Sequence, residues 1–153
     1  MIFSSTFRIF LISSLKFNTM KLPELRIGNY FEIQSAYEET GSIEKITEIG
    51  KKQVHTEGKW VRLDDLISIS ITEEILLHIG FTQFNWLKDS SVFECSYFKC
   101  RLDDNGVNLF CDNLKNIKPV KHLHELQNLY FDLTGEELAI DFNYIKSLKI
   151  QTA

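Results

Sequence analysis

Thiol and imidazole chemistry has its candidates in Cys95, Cys100, Cys111, His122 and His124. A tetrahedral zinc site is built from closely spaced ligand pairs on a turn or on one helix face. Cys95 and Cys100 are an odd number of residues apart, so in one regular strand they face opposite sides of a sheet, and His122 and His124 diverge on a helix. The spacing therefore predicts small buried thiols, surface or capping histidines, and no metal. A nucleophilic Cys–His site needs a thiolate activated by an imidazole that a third group orients, and no local signature of one is present in this chain.

Carboxylates occur in adjacent pairs: Asp64-Asp65, Glu73-Glu74, Asp103-Asp104 and Glu136-Glu137. Paired carboxylates can serve hydrolysis or hold a metal. Here each pair falls at an expected turn or helix end, where solvated turn and capping roles explain it more simply. Neither GxxxxGK[ST] nor GxGxxG occurs, so no glycine loop cradles a phosphate and no cofactor is expected.

Two groups of residues suit recognition rather than catalysis. His124, Gln127, Asn128 and Phe131 lie close together at helical spacing and predict an exposed aromatic ringed by amides and an imidazole. The alternative is that the chain after Gly135 folds back and covers this flank. Lys51, Lys52, Lys59, Trp60 and Arg62 form a basic and aromatic cluster that could stack bases and meet phosphates. The acidic balance, with a net charge of −4, favours instead a solvated hairpin with Trp60 in the core.

The elements that position these groups can be read from periodicity. Residues 121–138, KHLHELQNLYFDLTGEEL, carry the strongest helix signal: Leu123, Leu126, Tyr130 and Leu133 share one face, Leu129 broadens it, Pro119 precedes it and Gly135 follows it as a left-handed cap. Thr72 caps a short helix in TEEILLHIG, closed by Gly80. Short alternating runs with glycine turns between residues 25 and 71 predict a curled antiparallel sheet or SH3-like barrel. VFECSYFKCRL reads as one long strand that pairs with VNLFC across a DDNG turn. Residues 136–150, EELAIDFNYIKSLKI, are ambiguous: Leu138, Phe142 and Ile145 suit a helix, whereas AIDFNYI alternates moderately as a strand.

The order is β-rich, short helix, hairpin, long helix, which is α+β and not the alternation of a Rossmann-like domain. At 153 residues with 44% apolar and 25% charged content, the chain can bury a core without staples. Residues 1–19 are rich in Phe, Ile and Ser and lack an acidic residue, so they read as an appended extension, with Met20 as the start. Residues 20–153 then form a single domain: a β-rich half at 22–71, a hairpin and helix half at 72–138, and a tail at 139–153. The short apolar run IFLISSL cannot span a bilayer, and an odd count of three cysteines without paired short spacings points to reduced thiols in the cytoplasm.

The segments LRIGNYF, ITEEILLHIGF and HLHELQNLYFDLTGEEL, in this order, resemble an uncharacterised family of small bacterial proteins often encoded in phage or prophage-like regions. The resemblance spans most of residues 20–138. Asp132 departs from it, standing where similar sequences commonly have a small residue such as alanine. The resemblance implies no catalytic residue. The expectation is thus a noncatalytic interaction or accessory module with a protein partner through His124, Gln127, Asn128 and Phe131. The alternative is a nucleic-acid-binding accessory factor that uses the Lys51 to Arg62 region.

Overall fold

The structure is a computed structural model that describes residues 24–34, 41–83, 91–97, 99–104, 106–110, 119–141, 143–145 and 147. The expected extension at 1–19, Cys111 and the end of the tail lie outside them. Among the described residues, ten short strands form three antiparallel sheets that combine with two α-helices into an α+β fold.

The first sheet has β1 (Tyr30–Ile33) at its centre, flanked by β2 (Ser42–Lys45) and β6 (Leu66–Ile67). The second orders β3 (Glu48–Ile49), β4 (Gln53–His55) and β5 (Trp60–Arg62) side by side, and a 3-10 turn at Leu63–Asp65 leads from it back to β6. Their inward residues Phe31, Ile33, Ile46, Val54, Val61 and Leu66 join Leu25 in a small core. Period-2 alternation does the sorting: Val54 and Val61 pair across the strands and face inward, so His55, Trp60 and Arg62 must face outward.

The third sheet runs β10, β9, β8, β7, with β7 at Thr82–Gln83, β8 at Val92–Glu94, β9 at Lys99–Asp103 and β10 at Gly106–Phe110. The expected hairpin between β9 and β10 forms, with Val107 opposite Leu102. The run VFECSYFKCRL is not one strand, however. It bends at Ser96 and Tyr97 and returns on itself, pairing Phe93 with Cys100. The strand parity expected of Cys95 and Cys100 therefore does not apply to them.

Helix α1 (Glu73–His78) starts where Thr72 Oγ1 accepts the Ile75 N–H at 3.3 Å. It buries Ile75 and Leu76 in the larger core, with Phe81, Phe93, Cys100, Val107, Leu123 and Leu126. Helix α2 (Leu123–Thr134) begins at the first residue of its apolar stripe, two residues into the expected 121–138 segment, because the Glu125 carboxylate caps it by accepting the N–H groups of Lys121 and His122 at 2.8 and 3.1 Å. It ends as expected at Gly135, whose φ of 75° lets its N–H reach the Phe131 carbonyl at 2.7 Å. Leu133 departs from the predicted stripe and is exposed. In the tail, Asp141 Oδ1 accepts the N–H groups of Asn143 and Tyr144, which resolves the helix-or-strand ambiguity in favour of a helical turn at 143–145. That turn buries Ile145 in the larger core.

Candidate functional site

Helix α2 is buried on two adjacent sides. Leu123 and Leu126 close the larger core, and the next flank, with His124 and Gln127, turns toward the smaller sheets. The expectation that this flank faces solvent is corrected for both residues: His124 is 3% exposed and Gln127 is 2% exposed. Gln127 meets a turn ahead of β1, and His124 packs against Phe31 of β1.

Arg26, Ile27, Gly28 and Asn29 form that turn, closed by Asn29 N–H to the Arg26 carbonyl at 3.1 Å. Its third position needs φ of 98°, which glycine supplies without a side-chain penalty. The turn leaves main-chain groups pointing at the helix. The Gln127 amide meets two of them: Nε2 donates to the Gly28 carbonyl at 3.0 Å, and Oε1 accepts the Tyr30 N–H at 3.0 Å. Asn128 donates to the Glu24 carbonyl at 2.9 Å and accepts from Asn29 Nδ2 at 3.0 Å. A buried main-chain group without a partner is costly, so these two amides are spent on the chain itself.

Phe131, at 36% exposure, carries the Arg26 guanidinium 3.8 Å from its ring centre, and the same guanidinium pairs with Glu137. His124 packs beside the Phe31 ring at 4.7 Å. Burial lowers its pKa to about 4, outweighing the opposite pull of Glu125, and His122 lowers it further. It is a neutral packing group at ordinary pH, as the coverage of its ring dictates.

The Cys100 thiol is likewise unsuited to nucleophilic work. Burial, reinforced by nearby Cys95, pushes the Cys100 thiol up to about 12, far from the thiolate range that attack requires. Among the described residues no group of three His, Cys, Asp or Glu side chains could hold a metal ion.

The second sheet has the opposite character. Trp60 is 49% exposed, which corrects its expected place in the core. Its ring is held, not loose. The His55 ring meets it edge-on at 5.2 Å, and Thr47 Oγ1 fixes His55 through Nδ1 at 2.9 Å. At the far side, a β-carbon on Gly50 would come within 3.3 Å of the indole, so the ring lies across the sheet toward the turn that carries Lys51 and Lys52. All five residues of the basic cluster are exposed. Two of its cations are engaged by the chain: Lys59 with Glu44 at 3.1 Å, and Arg62 with Asp64 at 3.0 Å. Burial opposes the Glu44 charge, but hydrogen bonds from Ser42, Thr56 and Lys59 outweigh it and hold the carboxyl below the usual range. Among the described residues, no carboxylate pairs with Lys51 or Lys52.

Comparison with protein-family models, with curated proteins and with solved structures gives no match to this chain.

Sequence reasoning missed Thr47, Gly50 and His55, which position Trp60, and Arg26, which clamps Phe131. The pairing of His55 with Trp60 follows from register across the Glu57-Gly58 turn and was legible in principle. Arg26 meets the helix across more than a hundred residues and left no local trace.

Proposed function

We propose that the protein is a noncatalytic interaction module that binds a protein partner through the outer face of the β3–β4–β5 sheet. The observation that carries this reading is Trp60, a large aromatic left half exposed yet braced by His55 and Gly50. Rigid, partly exposed aromatics supply contact area at little entropic cost and dominate recognition surfaces. The module reading is also supported by the inert environments of Cys100 and His124. Among the described residues no helix is long and apolar enough to cross a membrane. The free thiols of Cys95 and Cys100 fit work in the cytoplasm.

Phe131, with its arginine lid, is a secondary contact; His124, Gln127 and Asn128 contribute by holding α2 in place. A second reading, a nucleic-acid accessory factor, draws on the exposure of Lys51, Lys52, Lys59, Trp60 and Arg62 on or beside one sheet. Internal pairing of Lys59 and Arg62 weighs against it, since phosphate binding needs cations that are free to replace counterions. Affinity capture with the full chain and with Trp60→Ala tests the module: partners held by the first and lost by the second are expected. Salt-sensitive retention of RNA or DNA would favour the second reading.

A further inference from the structure

Resting on that reading, we infer that the partner of the Trp60 face is an extended acidic peptide segment in which an aspartate or glutamate sits beside a large apolar residue. The charge distribution over the face carries the inference. At the end where the indole reaches Gly50, Lys51 and Lys52 are exposed at the β3–β4 turn, held by the Gly50 N–H to Gln53 carbonyl bond of 2.8 Å. Their ammonium groups are the cations of this sheet left without a carboxylate among the described residues, while Lys59 and Arg62 are already neutralised.

The positive charge is thus a point at one end of an aromatic plate. It does not continue as a track. Across the sheet, Glu48 stands opposite His55, and His55 opposite Trp60, so an exposed carboxylate lies at the far end of the same outward row. A single strand of nucleic acid crossing the plate would carry its phosphates over Glu48. A peptide can instead place one carboxylate on the lysine pair and its neighbouring apolar side chain on the indole, leaving the Glu48 end to a neutral or basic residue. Complementarity of this kind fixes orientation as well as affinity.

The test screens the immobilised full chain against a display library of short random peptides, alongside Trp60→Ala and the double variant Lys51→Glu/Lys52→Glu. All three positions are exposed, so the variants should keep the parent melting curve; the lysine pair, remote from any packing, remains informative even if Trp60→Ala does not. The full chain should enrich peptides with Asp or Glu beside Leu, Phe or Trp. Trp60→Ala should lose them, and the double variant should weaken them by about tenfold or more and turn to peptides with Lys or Arg instead. Enrichment that needs Trp60 but ignores charge reversal overturns the acidic partner and leaves the interaction module standing. Enrichment indifferent to Trp60, or none, removes both. Retention of oligothymidylate that is lost in Trp60→Ala assigns the face to single-stranded nucleic acid and also overturns the inference.

Discussion

Two patches of this molecule have the same ingredients, an aromatic ring, an imidazole and polar side chains, and opposite fates. On the α2 flank, His124 and Gln127 are buried, Asn128 bonds the chain, and Phe131 lies half covered beneath Arg26. On the β3–β4–β5 sheet, Trp60 and His55 turn outward. The difference lies in what each patch faces. The α2 flank meets a turn whose main-chain groups need partners, and amides are suited to supply both a donor and an acceptor. Among the described residues nothing covers the Trp60 ring on the outer sheet face beyond His55 and Gly50, because the strands already satisfy one another and Val54 and Val61 fill the core from the other side. Composition alone does not separate a recognition surface from an internal joint; unmet backbone valence does.

The contrast can be broken by mutation. The largest loss is expected from Leu126→Ala, on the apolar side of α2, at roughly 2 to 5 kcal/mol in urea unfolding, since a fully buried leucine leaves a cavity. Gln127→Met keeps the volume and removes both hydrogen bonds to the Gly28 turn. It should cost about 3 kcal/mol, and a loss under about 1 kcal/mol would mean that the amide fills space and nothing more.

Acid should act through the same flank. The His124 pKa falls from 6.5 in the unfolded chain to about 4 in the fold, so below pH 6.5 the unfolded chain binds a proton that the folded one refuses. Stability therefore drops as the pH falls from 6.5 toward 4, by about 2 to 3 kcal/mol, and this contribution levels off below that. Glu125, held below its usual range by the N–H groups of Lys121 and His122 despite its burial, adds a loss of the same sign at lower pH. A His124→Leu variant should flatten the slope above pH 4; an unchanged slope would place the proton uptake elsewhere.

Phe131→Ala removes a half-covered ring and its guanidinium partner and should cost about 1 kcal/mol or less. Trp60→Ala should be the mildest, within about 0.5 kcal/mol, as for an exposed site. If Trp60→Ala proved as damaging as Gln127→Met, the indole would belong to the fold and the contrast between the two patches would collapse.

Much of the architecture was legible because it is local. The caps at Thr72 and Gly135, the turn at Gly28 and the hairpin before Val107 each depend on residues a few positions apart. The helix stripe was legible at Leu123 and Leu126 but not at Leu133, because periodicity says which face a residue shares and not how far the covering sheet extends. The reversal inside VFECSYFKCRL escaped because every residue in it favours a strand, and the bend at Ser96 and Tyr97 carries no glycine or proline. The candidate site was half legible. Lys51, Lys52, Lys59, Trp60 and Arg62 are neighbours in sequence and all exposed, yet the pairing of Lys59 with Glu44 joins residues of different strands and left no local trace. The inward turn of Gln127 escaped for the same reason, since the groups it satisfies lie at the other end of the chain, as does the Phe31 ring against which His124 packs.

The bonds between α2 and the Gly28 turn join residues 97 to 104 positions apart. On a ribosome this distance is time. The two small sheets emerge first and can pair their strands, but the carbonyl of Gly28 and the N–H of Tyr30 stay in water until Gln127 has been synthesised. Contacts of such sequence separation form late and slowly. The nascent chain therefore carries an open backbone edge until α2 is made, and the amide that closes it arrives with that helix.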